Sequence, residues 1–386
     1  MKKKVNTDWI YGLKFIASFV VILHHFALYF YPAFISNNFI DLRTSNHVEM
    51  KFALSPFNIF SWGGNVCVCI FFIISGFLIS YKYYFNKDRK NSVHNYINRY
   101  LKLTLPILFS SLFYFIIIHL IKFINGDVLC INVLGKQGSY CNFDINIFRL
   151  IYESFFGFFV KGNVLINPVL WTMYGEMLGS FVIMVLLPII GNDKKRKYIY
   201  VFLIILLADS IVFPFLLGMI LCDFYKNNVF DNIFNKWYVK IILLLLSIYF
   251  CGFTYQAYST KLYNFLNLGF HDSLLFYHTI GSILLIIVVI YSDFLKKLLS
   301  LQIFSKFKNI SFGVYLFHWL VLNTYSIILQ NILMKYIDYK YAFIIVFFSS
   351  IIIIYVLSHF IFSYILKLVS KYTKKISLLY SGKNTK

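Results

Sequence analysis

Residues 9–33 read WIYGLKFIASFVVILHHFALYFYPA. The run holds one cation, Lys14, no acid, and two histidines, His24 and His25. Nearly everything else in it is aliphatic or aromatic. A helix crosses the hydrocarbon of a bilayer in about 20 apolar residues, so this segment is long enough to span. The residues before it, MKKKVNTD, are basic like the start of a secretion signal, but no small-residue cleavage site follows. We read the run as a retained first helix.

Runs of this kind recur from end to end. The chain has 386 residues, 60% of them hydrophobic and 13% charged. Soluble domains carry about 25% charged residues, so a soluble fold is excluded. Ten spanning segments are expected, at 9–33, 57–81, 101–124, 168–190, 198–212, 213–225, 239–257, 274–292, 309–333 and 341–367. Residues 148–166 are aromatic-rich but carry Arg149, Glu153 and Lys161, and read as interfacial or re-entrant. The fold class is thus all-α, a polytopic membrane protein with about ten transmembrane helices. One membrane domain fills residues 1–386, and residues 368–386 form a basic cytoplasmic tail.

The formal net charge of +21 invites a nucleic-acid reading, but here basic residues mark the cytoplasmic side. With the N-terminus inside, Lys and Arg divide 26 inside to 9 outside, with Lys14 at the inner end of the first helix. Both termini are expected in the cytoplasm, and no nucleic-acid partner is expected. Cys67, Cys69, Cys222 and Cys251 fall in spans, where Cys acts as a small hydrophobe. Cys130 and Cys141 share the outer loop 125–147, where an oxidising compartment permits a disulfide; spacing alone leaves that open.

Polar residues inside a membrane are costly, so they mark candidate sites. In the first helix, Lys14 and His25 are eleven residues apart; at about 100° per residue they lie within roughly 20° of one stripe and about 16 Å apart along the axis. His24 is turned roughly 80° from Lys14. Ser75-Gly76, within GGNVCVCIFFIISGFLIS (63–80), serves either close helix packing or a direct role. In NRYLKLTLP (98–106), Arg99 and Lys102 precede Pro106 and suit either positive-inside flanking or a phosphate clamp. In PVLWTMYGEMLG (168–179), Glu176 is an acid within a span, with Trp171 and Thr172 before it. In SFGVYLFHWLV (311–321), Ser311, Tyr315 and His318 share one helix face. No metal-ligand set stands out.

Taken in order, these clusters resemble the acyltransferase type 3 family. The resemblance rests on Lys14 and His25 for a basic residue and His separated by ten positions, and on Phe71, Phe72, Ser75, Gly76, Phe77 and Leu78 for FFxxSGFL. It also rests on Arg99, Lys102 and Pro106 at the start of the third helix, on Trp171, Thr172 and Glu176 for WTxxxE, and on Ser311, Tyr315, Leu316 and His318 near the end. Phe215 and Gly218 fit an F-x-x-G element. The sequence departs from the family pattern at Lys14, where Arg is usual, and at Tyr11 and Phe312.

The resemblance implies a membrane O-acyltransferase of the bacterial cytoplasmic membrane. Such an enzyme takes an acyl group, usually acetyl, from cytosolic acyl-CoA and passes it to a hydroxyl of a cell-surface carbohydrate or its lipid-linked precursor. His25 and Glu176 are then the catalytic pair, and Lys14, Arg99 and Lys102 bind the donor. Ser75, Trp171, Thr172, Tyr315 and His318 contact substrate or support the site. Some relatives carry an extracytoplasmic hydrolase-like domain, which is not expected here. A secondary transporter of a glycan intermediate or organic anion is the alternative, since intramembrane His, Glu and Lys also form proton relays. Internal repeats, frequent in transporters, are not evident. A lipid-linked glycosyltransferase would call for acidic loop motifs, and the chain has few.

Overall fold

A computed structural model describes residues 7–36, 42–44, 46–53, 58–85, 93–125, 146–160, 167–254, 262–266, 269, 272–307 and 310–380. The main helices are α1 (Trp9–Phe30), α2 (Ile59–Phe85), α3 (Val93–Asn125), α4 (Trp171–Ile190), α5 (Arg196–Leu207) and α6 (Phe213–Lys226). They continue with α7 (Trp237–Cys251), α8 (Ser273–Tyr291), α9 (Ser311–Leu333), α10 (Tyr339–Leu357) and α11 (Ser363–Tyr380). Among the described residues seven helical stretches are long and apolar enough to cross a membrane: α1, α2, most of α3, α4 with its leading turn, α8, α9, and α10 run into α11. The protein is a polytopic, all-helical membrane protein.

Each of the ten expected segments contains a helix, but three of these helices are short. α5, α6 and α7 have 12, 14 and 15 residues, below the length of about 20 that spans hydrocarbon unaided. Pro214, at the first turn of α6, starts that helix and keeps it separate from α5. Other boundaries also move. α3 begins at Val93, so Arg99 lies inside the helix and not before it. Helix continues beyond residue 367 to Tyr380, through most of the stretch read as a tail. Residues 147–160 form short helical pieces around a π turn at Glu153–Gly157, with Phe148, Phe156 and Val160 exposed, as an interfacial segment requires. The expected Cys130–Cys141 loop lies outside the described residues.

The chain divides into two compact units, residues 1–90 with 178–308 and residues 91–177 with 309–386. In the first unit α2 is central: 78% of its apolar core is buried, and it packs against α1, α6 and α8. Small residues allow this. A Cβ on Gly76 would collide with the backbone of Phe215, and a Cβ on Gly218 with the carbonyl of Ile73. The SGFL segment of α2 and the PFLLG segment of α6 are thus one backbone-to-backbone crossing, closed by the stacked rings of Phe72 and Phe215, 4.7 Å apart. Hydroxyls add polar links: Ser247 Oγ donates to the Gly281 carbonyl (2.8 Å), and Ser282 Oγ to the Val66 carbonyl (3.3 Å).

In the second unit α11 packs along α3, and α9 packs against α10. Ser326 and Ser350 join the latter pair through their hydroxyls at 2.7 Å. Only 22% of the apolar core of α10 with the start of α11 is buried inside the protein, so this long helical stretch is mostly lipid-facing. Exposed side chains such as Phe348 and Ile352 meet acyl chains and not water.

The Gly76–Gly218 crossing can be tested directly. Gly218→Val puts branched carbon against backbone that cannot swing aside, and we expect it to lower unfolding stability by about 3 kcal/mol. Thermal unfolding in detergent measures this, and an unchanged midpoint would remove the crossing as a stabilising element.

Candidate active site

Arg99 and Glu176 meet. Arg99 lies two turns inside α3 and Glu176 lies five residues into α4; Nη2 of the guanidinium donates to Oε1 of the carboxylate. Both belong to the second unit. Their side chains are 24% and 14% exposed, so the pair borders accessible space without being open to it. Either charge alone would be costly among apolar groups, and pairing offsets that cost. Lys102, one turn after Arg99, is exposed. Pro106 has no N–H for the Lys102 carbonyl, so that carbonyl is left without its helical donor beside the two cations.

The turn carrying Glu176 is pinned from α9. The Tyr315 hydroxyl donates to the Val169 carbonyl at 2.6 Å and lies 2.8 Å from Thr172 Oγ1. Thr172 precedes Glu176 by one turn. Asn167 caps the leading turn through Val169 N–H (3.3 Å) and donates to the Leu316 carbonyl (3.2 Å). Nδ1 of the fully buried His318 lies 2.7 Å from the Tyr315 carbonyl. Among the described residues Ser311 Oγ, which is buried, has no hydrogen-bond partner, and Trp171 is exposed. The structure therefore brings Arg99 to Glu176, and Thr172 to Tyr315 with His318 adjoining.

Lys14, His25 and Ser75 belong to the first unit. The two histidines of α1 differ in their bonds. His24 Nδ1 lies 2.6 Å from the Phe60 carbonyl of α2, and its ring packs over Gly64. It joins two helices. His25 Nδ1 lies 2.9 Å from the Val21 carbonyl of its own helix. A carbonyl only accepts, so Nδ1 carries the hydrogen and Nε2 of the neutral ring carries the basic lone pair. Lys14 is half-buried, and Ser75 is buried beside the Gly76 crossing.

Sequence reasoning missed a second buried charge. Asp223, at the end of α6, is 1% exposed. Arg196 reaches it through Nε at 2.7 Å and Nη2 at 3.2 Å, Tyr200 OH at 3.2 Å and Asn227 Nδ2 at 2.9 Å. Its signal was a lone acid in the apolar run FLLGMILCDFYK (215–226). His278 is also structural: Nε2 donates to the Phe253 carbonyl at 2.8 Å, and Nδ1 accepts from Asn65 at 3.2 Å. No group of three or more His, Cys, Asp or Glu is placed to hold a metal among the described residues.

A family model described as an acyltransferase domain matches residues 7–362 of the chain. No curated protein and no solved structure matches it.

Asp223→Asn keeps the shape of the carboxylate and removes its charge from Arg196. We expect unfolding stability to fall by about 3 kcal/mol, at the lower end for breaking a buried pair because Arg196 is partly exposed. Equal stability of the two proteins in a denaturation series would show that the Arg196 fork contributes nothing net.

Proposed function

Because the chain belongs to the acyltransferase 3 family, and is thus a membrane acyltransferase, we propose that its donor is cytosolic acyl-CoA, most readily acetyl-CoA. The acceptor is a hydroxyl on a cell-surface polysaccharide or its lipid-linked precursor. The 26-to-9 split of basic residues supports a topology with both termini in the cytoplasm, and the family supports a bacterial cytoplasmic membrane.

The observation that carries the mechanism is the tautomer of His25. With its hydrogen held on Nδ1 by the Val21 carbonyl, the imidazole presents a basic Nε2. That nitrogen takes the proton of the acceptor hydroxyl as the hydroxyl oxygen attacks the thioester carbonyl carbon. The C–S bond then breaks, and the departing CoA thiolate recovers the proton from the imidazolium. A transient acyl-imidazole uses the same nitrogen. Arg99 and Lys102 take the donor phosphates, for which a planar guanidinium and a nearby ammonium are suited. Lys14 adds charge toward the cytosolic end of α1. Glu176 completes the catalytic set, and Thr172, Tyr315 and His318 hold its helix. Ser75 and Trp171 support the substrate sites.

The two histidines of α1 separate catalysis from architecture. Purified protein given radiolabelled acetyl-CoA and envelope glycans from its own cells should label the glycans. His25→Ala should cut transfer at least ~10²-fold while the protein still inserts. His24→Ala loses the Phe60 tie and should be less stable, yet each folded molecule should keep most of its activity. The reverse pattern, an active His25→Ala beside an inactive folded His24→Ala, would overturn the mechanism.

A further inference from the structure

We propose that Glu176 is a built-in competitor for the donor site: it occupies Arg99 until an anionic, phosphate-bearing donor displaces it, so that donor binding and release of Glu176 are one event. This rests on the reading of Arg99 as a donor-phosphate ligand.

The geometry carries the inference. Arg99 donates to Glu176 from α3 to α4, across the sequence and not within one helix. The pair is neither sealed nor fully wetted, at 24% and 14% exposure. A sealed pair would be architecture alone, and a fully exposed one would contribute little. The acids of the chain mark both limits: Asp223, held by Arg196, Tyr200 and Asn227, has a side chain 2% exposed although Arg196 is 22% exposed, whereas Asp293, paired with Lys296 at the surface, is 87% exposed. Glu176, at 14%, falls between them.

Lys102 supplies the second half of the argument. It stands three residues after Arg99 on α3 and is exposed, so the two cations are neighbours on one face. A phosphate bridging them gains contacts with both, whereas Glu176 is seen on Arg99. A phosphate also brings more negative charge than one carboxylate and matches the guanidinium fork. Displacement therefore favours the nucleotide, and it hands a carboxylate to the site only when donor is present. Glu176 is then able to accept a hydrogen bond or proton that Arg99 otherwise occupies. Without donor the carboxylate stays neutralised.

Direct binding of coenzyme A to the full-length protein in detergent, by calorimetry, tests this. Removing a competitor strengthens binding, so Glu176→Gln should bind coenzyme A about fivefold more tightly, the size of an ion pair near a surface. Glu176→Asp, with a shorter reach, should give a smaller gain in the same direction and guards against misfolding of the Gln variant. Arg99→Gln should weaken binding, and in that background Glu176→Gln should add no gain. Unchanged or weaker binding by folded Glu176→Gln, with Arg99→Gln still weakened, would overturn the competition while leaving Arg99 a donor ligand. Unchanged binding by Arg99→Gln would overturn the donor-site reading and the competition with it.

Discussion

No water reaches the hydrocarbon core of a bilayer, so a polar group there has only the protein to bond with. That constraint organises the whole chain. The hydroxyls of Ser80, Thr104, Ser154, Thr324 and Ser358 fold back onto carbonyls one turn earlier in their own helices. His24, His25 and His318 each place Nδ1 on a carbonyl. The charges Arg99, Glu176, Arg196 and Asp223 form pairs. Each satisfied group fixes an orientation, and the orientations together set which atoms are left to meet a substrate.

The same rule separates supporting residues from reactive ones. A histidine bonded at both nitrogens, such as His278 between Phe253 and Asn65, is committed to the fold. His24, tied from α1 to α2, is committed to a helix contact. His25 is bonded at Nδ1 to the Val21 carbonyl of its own helix, a bond that selects a tautomer. Among carboxylates, Asp223 is sealed among its donors with a side chain 2% exposed, whereas Glu176, paired to Arg99 of another helix, is 14% exposed. Reactivity in such a protein follows from how each polar residue is satisfied.

Much of this was legible in the sequence because apolar runs and isolated polar residues are sharp signals in a membrane protein. The helical segments and the intramembrane acid Glu176 are legible from hydropathy alone. Less legible was anything set by contacts between helices. The Arg99–Glu176 pair joins residues 77 positions apart, and no periodicity links them. The Asp223 cluster was hidden because Arg196 sat in KKRK (194–197), which positive-inside flanking explains by itself. The true start of α3 was missed because NYINRY (95–100) is polar, although it is helical in the protein. By contrast, the shortness of α5 and α6 is legible, because Asp209 and Pro214 interrupt the apolar run.

Among the described residues three π turns interrupt otherwise α-helical stretches, at Glu153–Gly157, Leu322–Ser326 and Ser358–Phe362. A π turn is the footprint of one extra residue carried within a helix, and it rotates everything beyond it by about 100°. In α9 that offset falls between the face bearing Tyr315 and His318 and the turn from which Ser326 meets Ser350. The two halves of α9 are therefore phased independently. Shortening the chain by one residue within 322–326 would restore a plain α-helix, but it would turn one of those faces away from its partner. The length of this helix is as much a part of the site's specification as the residues on it.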